Sequence, residues 1–236
     1  RREWRIALAL RSALAALDRA YRRVLGVALR HPVVTLAVGL ASFAGGLALY
    51  LLTRLVALDK FPIYFFSDEA IQTLTASDLL HNGLHGPAGN LLPVFFQNGG
   101  QYNLSASVYL QLLVAWLPRS IWLTRGLPAL LSVGLPLSLT FALKDYYKVK
   151  GWWLAPWGVS TIPCWFLHSR TAFETALGTT FYAVFLYFYL RYRLKDRTSL
   201  PLALLFGALA FYTYSPLELV VVLSGLAFLI VDWRYH

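Results

Sequence analysis

The sequence of 236 residues has no methionine and one cysteine, and only 14% of its residues are charged. Cys164 lies inside a hydrophobic run, so neither a disulfide framework nor a cysteine-based metal centre is available within the chain. Acidic residues are scarce as well: 11 Asp and Glu stand against 21 Lys and Arg, a net charge of +10. A basic balance of that size admits nucleic-acid binding, but the basic residues cluster between apolar runs, and membrane topology explains that pattern better. With Arg at position 1 and methionine missing, the sequence is expected to be part of a longer chain.

What the chain has in abundance is apolar surface. Hydrophobic residues make up 58% of it, with Gly and Pro inside the apolar runs, a composition of multi-span helical membrane proteins. Residues 1–30 carry Arg1, Arg2, Arg5, Arg11, Arg19, Arg22, Arg23 and Arg30 among Leu, Ala, Val and Trp4. That pattern predicts a basic amphipathic helix on the cytoplasmic surface of an anionic membrane, serving as a lipid contact or as an orientation signal. From Val33 to Thr53 roughly 21 residues carry no charge, enough to cross a ~30 Å hydrocarbon core. The run is too long for a signal-peptide core and is read as a retained anchor.

Residues 59–124 follow as a long outer loop. Its centre is FPIYFFSDEAIQTLTASDLL, Phe61 to Leu80, where Asp68 and Glu69 open a predicted helix at the end of the first span. His81-Asn82-Gly83, Gly86-Pro87, Gly89-Asn90 and Gln97-Asn98-Gly99-Gly100 are turn sequences. Leu104 to Leu117 is apolar but short, and suits an interfacial helix. Further spans are predicted at about 126–143, 151–167, 176–190, 199–212 and 217–231. Basic loops at Lys144–Lys150 and Arg191–Arg197 then fall on the side of the N-terminus, as positive residues do. The expected fold is all-α, a polytopic transmembrane bundle of about six spans with both ends inside, plus interfacial helices in the first outer loop.

This topology gathers Asp68, Glu69 and Asp78 with His168, Arg170 and Glu174 on the outer face. A carboxylate in an apolar setting can act as general base, because desolvation raises its pKa toward the working range. An arginine beside it offers a planar fork to phosphate, which together imply a lipid-phosphate substrate. Asp68 could instead cap its helix. Arg170 and Glu174, four apart, could instead form an interfacial ion pair if their helix begins by Ser169. Asp78, His81 and His85 have a spacing that raises metal binding, but Asn82-Gly83 breaks the helix that would align them, and no metal site is assigned.

The order of these features resembles the N-terminal membrane module of the GT-C glycosyltransferases, in particular the polyprenyl-phosphate-sugar family of protein O-mannosyltransferases and aminoarabinose lipid A transferases. The resemblance is carried by SDEA at Ser67–Ala70, the following LLHNG, YLQLLVAWLP, RGLPALLSVGLPLSL, HSRTAFETAL and ALAFYTYSP, over most of residues 30–230. It makes 31–236 a GT-C-like module and implies sugar transfer from a polyprenyl-phosphate donor to a protein, lipid or glycan acceptor on the extracytoplasmic face of the inner membrane. Carried over, Asp68 is the candidate base with Glu69 beside it, Glu174 is the second functional carboxylate, and Arg170 helps to hold the donor phosphate. His168 and Tyr214 join the substrate-binding group, Tyr214 standing where relatives place a lysine. No cofactor or nucleic acid is required, and a divalent cation assisting the carboxylates is left open. The alternative is a non-catalytic membrane subunit that packs through the same scaffold against other membrane subunits. A transporter is disfavoured because no mid-span charge or inverted repeat is evident.

Overall fold

A computed structural model describes the backbone of residues 2–98 and 100–235. Arg1, Gly99 and His236, and the side chains of residues 2–10, 12, 13, 25, 29, 101, 234 and 235, lie outside the described residues. The chain divides into two compact units, Arg1–Gly45 and Gly46–His236.

In the first unit, residues 2–30, expected as a basic amphipathic helix, form one continuous helix, α1 (Arg2–Arg30). His31 separates it from α2 (Pro32–Leu55). Pro32 opens α2 at a position where a missing N–H costs no helical hydrogen bond.

The second unit takes in the last part of α2, then α3 (Ser67–His81), a hairpin of β1 (Phe95–Asn98) and β2 (Gln101–Leu104), and α4 (Ser105–Leu112). The hairpin is an addition to the turns and interfacial helices expected in the outer loop. Its strands pair antiparallel, Phe95 opposite Leu104 and Asn98 opposite Gln101. Phe96 packs with Ala76, Leu79 and Val108, which fixes the hairpin to α3 and α4. The interfacial helix expected over 104–117 is shorter than drawn, with β2 holding its first residue.

Helices α5 (Ile121–Leu131) and α6 (Gly134–Asp145) together form one apolar stretch broken near its middle. Two prolines explain the break and the contacts made there. Pro128 has no N–H for the Thr124 carbonyl, and Gln111 Nε2 from α4 donates to that oxygen at 2.8 Å. Pro136 likewise leaves the Ser132 carbonyl without its usual donor, and Tyr50 Oη from α2 reaches it at 3.2 Å. Trp165 Nε1 in turn donates to Tyr50 Oη at 2.9 Å. Helix-breaking residues are tolerated in apolar helices when side chains restore the lost bonds in this way.

The expected span over 151–167 is not one helix. A short turn at Trp152–Leu154 leads into α7 (Ala155–Ser160) and α8 (Pro163–His168), each of 6 residues. Pro156 and Pro163 begin these pieces, because each proline excludes continuation of the preceding helix. Helix α9 (Glu174–Leu194) is the centre of the bundle and packs most extensively on α10 (Leu200–Phe211). Leu177, Phe181 and Ala210 form one core cluster, Phe185, Tyr189 and Ala203 the next. Helix α11 (Ser215–Tyr235) presents Leu219, Leu223, Leu226 and Leu229 outward.

Among the described residues, three helical stretches are long and apolar enough to cross a membrane: Pro32–Leu55, Ile121–Asp145 and Ser215–Trp233. They make the chain a mostly helical protein of membrane type.

Candidate functional site

Helix α3 begins at Ser67, so Asp68 and Glu69 occupy its first turn, where the helix dipole favours acid. Asp68 is not the cap that one sequence reading allowed, since Phe66 holds that position. The two carboxylates have different fates. Glu69 is fully buried and meets Arg125, itself buried, through Nε–Oε1 at 2.8 Å and Nη2–Oε2 at 2.9 Å. It also accepts from the backbone N–H groups of Ala172 at 2.9 Å and Phe66 at 3.1 Å. Arg125 spends its remaining donors on the carbonyls of Leu58, Pro62 and Tyr64. Every strong acceptor direction of Glu69 is thus matched, and it ties α3, α5 and the segment before α9 together.

Asp68 instead faces a cavity of about 440 Å³. The same cavity is lined by His168, Glu174 and Tyr214, so four of the six residues singled out in the sequence come together there. Gln72, Asn98, Tyr102 and Asn103 add polar lining that sequence reasoning missed. Their signal was weak: amides in a loop rich in turn residues, 30 or so positions apart, have no spacing that announces a common site.

Glu174 is the first residue of α9, two residues before the apolar stretch 176–190. Its Oε1 accepts from Gln72 Nε2 at 3.2 Å and from Ser107 Oγ at 3.4 Å, so α3, α4 and α9 converge on it. Burial pushes its pKa up from the ordinary 4.5 to about 7; the Ser107 bond opposes the rise and the charge of Asp68 adds to it. The Oε1 atom of Gln72 is buried and has no hydrogen-bond partner among the described residues. His168 closes α8, its Nδ1 lying 3.2 Å from Thr175 Oγ1. The Ala106 N–H donates to the Tyr212 carbonyl at 2.9 Å, which brings the α10–α11 turn, and with it Tyr214, against α4.

Arg170 is placed elsewhere than expected. It is buried, and its guanidinium donates to the carbonyls of Thr53, Val56, Ala57 and Phe61. A cation on the last carbonyls of α2 satisfies groups that a helix end leaves open. Burial, followed by the charges of Arg54 and Arg125, lowers its pKa. No Arg170–Glu174 ion pair is present, because α9 starts at Glu174 and Arg170 precedes it in a turn. Arg54 completes this buried arginine group, stacking at 4.2 Å over Tyr50 and donating from Nε to Ser169 Oγ at 3.2 Å.

His81 and His85 turn their Nδ1 atoms to backbone oxygens of Ser77 and Gly83, at 2.7 and 3.0 Å. No group of three potential metal-binding His, Cys, Asp or Glu side chains occurs among the described residues. No family model, curated protein or solved structure matches the chain.

Proposed function

We propose that this chain is the membrane portion of a GT-C-type glycosyltransferase that moves a sugar from a polyprenyl-phosphate donor to an acceptor on the extracytoplasmic face. The observation that carries this reading is the juxtaposition of Asp68 and Glu174 across a polar cavity at one end of an otherwise apolar bundle. In the reaction, Asp68 takes the proton of the acceptor hydroxyl as its oxygen bonds to the anomeric carbon. The bond from that carbon to the lipid phosphate breaks, and the phosphate leaves with the electron pair. Glu174, protonated part of the time near neutral pH, donates to a sugar hydroxyl or to a phosphate oxygen. The unpartnered acceptor of Gln72 suits a sugar O–H. With Arg170 engaged on backbone carbonyls, His168 is the basic member of the lining left for the growing phosphate charge.

Six crossings fit this function: α2, α5 with α6, the broken α7–α8 segment, α9, α10 and α11. Two end clusters support the count. Asp68, His168, Glu174 and Tyr214 meet at one end, while Asp145 bonds Lys195 and Tyr187, and Asp232 bonds Arg193 and Tyr189, toward the other. The basic loops share the second end, which makes it cytoplasmic.

The test is sugar transfer in nanodiscs from a panel of polyprenyl-phosphate sugars. Asp68→Asn should lower turnover by about 10²–10⁴-fold, the usual contribution of a general base, with folding and donor binding retained. The competing reading is a non-catalytic subunit, favoured by the purely structural engagement of Glu69 and Arg170. No transfer by wild type across the panel, with the protein recovered in a larger membrane assembly, would decide for it.

A further inference from the structure

A second cavity, of about 530 Å³, runs between α6 and α9 away from the Asp68 site. The two helices lie side by side in the same direction: Gly134 abuts Thr180 and Val184 at one end, Phe141 neighbours Tyr187, and Asp145 meets Lys195 at the other. The walls are apolar, with Leu137 and Phe141 from α6 and Val184 and Phe188 from α9. At the far end stand Lys144 and Arg191. From Gly134 to Lys144 the groove follows about 15 Å of helix, half of a ~30 Å hydrocarbon core. It therefore has the depth of one leaflet, apolar toward the bilayer middle and cationic at the surface.

The charges around its mouth are mixed but net positive. Asp145 is engaged by Lys195 at 3.2 Å and by Tyr187 Oη at 3.3 Å. Arg191 lies 3.6 Å from Asp196, a loose and half-exposed contact, and Lys144 Nζ sits 4.8 Å from the Trp152 ring centre. Asp196 offsets Arg191 as Asp145 offsets Lys195, which leaves the charge of Lys144 at the mouth, and Lys148, Lys150 and Arg197 lie on the adjoining loops. Arg191 is 17 residues beyond Glu174 on α9, or about 26 Å along the axis, so this groove opens to the opposite leaflet from the catalytic cavity.

We propose that the α6–α9 groove is a binding site for a single anionic glycerophospholipid, one acyl chain between Phe141 and Phe188 and the headgroup phosphate between Lys144 and Arg191. The charge of the mouth selects the headgroup, and the one-leaflet depth selects a lipid over a soluble phosphate. The site stands independently of glycosyl transfer.

The experiment is native mass spectrometry of the intact protein in detergent, titrated with phosphatidylglycerol and with phosphatidylcholine of the same acyl chains. Wild type should retain one phosphatidylglycerol that phosphatidylcholine and inorganic phosphate do not displace. Lys144→Gln/Arg191→Gln should weaken its retention by about thirtyfold, two basic side chains at an anionic headgroup each counting for a factor of about five. Lys150→Gln/Arg197→Gln, the same charge change outside the groove, should leave it intact. Val184→Trp, which fills the groove and keeps its charge, should also lose the lipid. Melting temperature in lipid-free detergent checks that each variant is folded. Equal retention of both lipids by wild type, or equal weakening by the two charge variants, would overturn the site and leave ordinary surface attraction.

Discussion

Glu69 and Arg125 share one ion pair out of water, and the cost of breaking it exceeds the worth of forming it. Removing one partner of a buried pair leaves a bare charge inside, at about 3–5 kcal/mol. Arg125→Met should therefore destabilise the protein by at least that amount in denaturation from mixed micelles, and adding Glu69→Met should recover only part of the loss, because the Ala172 and Phe66 N–H groups and the Leu58, Pro62 and Tyr64 carbonyls then lack these partners. Full recovery would mean that those backbone bonds contribute nothing. Glu174 matters through its titration, because burial raises its carboxyl pKa. A raised carboxyl means that the folded state binds a proton more readily than the unfolded one, so stability falls as pH rises from about 4.5 to about 7 and levels off above. Glu174→Gln should flatten that part of the stability profile while leaving more acidic transitions in place. A slope that persists in the variant would assign the titration to another group.

The proline-broken helix α5–α6 depends on neighbours for its backbone satisfaction. Gln111 on α4 and Tyr50 on α2 each donate to a carbonyl that a proline has left open. An unsatisfied buried carbonyl costs about 1–3 kcal/mol, so Gln111→Leu, similar in size and lacking the donor, should lose stability in that range. Tyr50→Phe leaves the Ser132 oxygen the Leu135 N–H at 3.2 Å but strips Trp165 Nε1 of its acceptor, so it should lose stability in the same range. No loss from Gln111→Leu in thermal unfolding would mean that the Thr124 carbonyl does not depend on that donor. These bonds also link the broken helix to the elements that carry the site, since α4 supplies Ser107 to Glu174.

Topology is testable with single cysteines in a Cys164→Ser background and a membrane-impermeant maleimide applied to intact cells. Six crossings place Asn90→Cys and Ser215→Cys on the labelled side and Lys148→Cys on the protected side. If only the three long apolar helices cross, Ser215→Cys becomes protected along with Lys148→Cys. The turn at Ser215 thus separates the two counts. Its presence in the lining of the Asp68 cavity favours the labelled outcome.

Hydrophobic runs, turn residues and charge spacing are local properties, and the sequence alone carried them: a mostly helical membrane chain, α1 as a basic amphipathic helix, α2 as a long apolar one, and a helix opening at the Asp68–Glu69 pair. Asp68, His168, Glu174 and Tyr214 were likewise legible, as polar residues at the ends of apolar segments. The partners were not. Arg125 was readable as a lone charge at the head of an apolar helix, a rare placement that signals a buried partner, yet no spacing links it to Glu69, 56 residues away. Adjacent in sequence, Asp68 and Glu69 point to different surroundings because neighbouring side chains on a helix do not share a face. Long-range packing therefore divided them into a cavity-facing acid and a buried tie, and it set the Arg170 guanidinium on the carbonyls that follow α2.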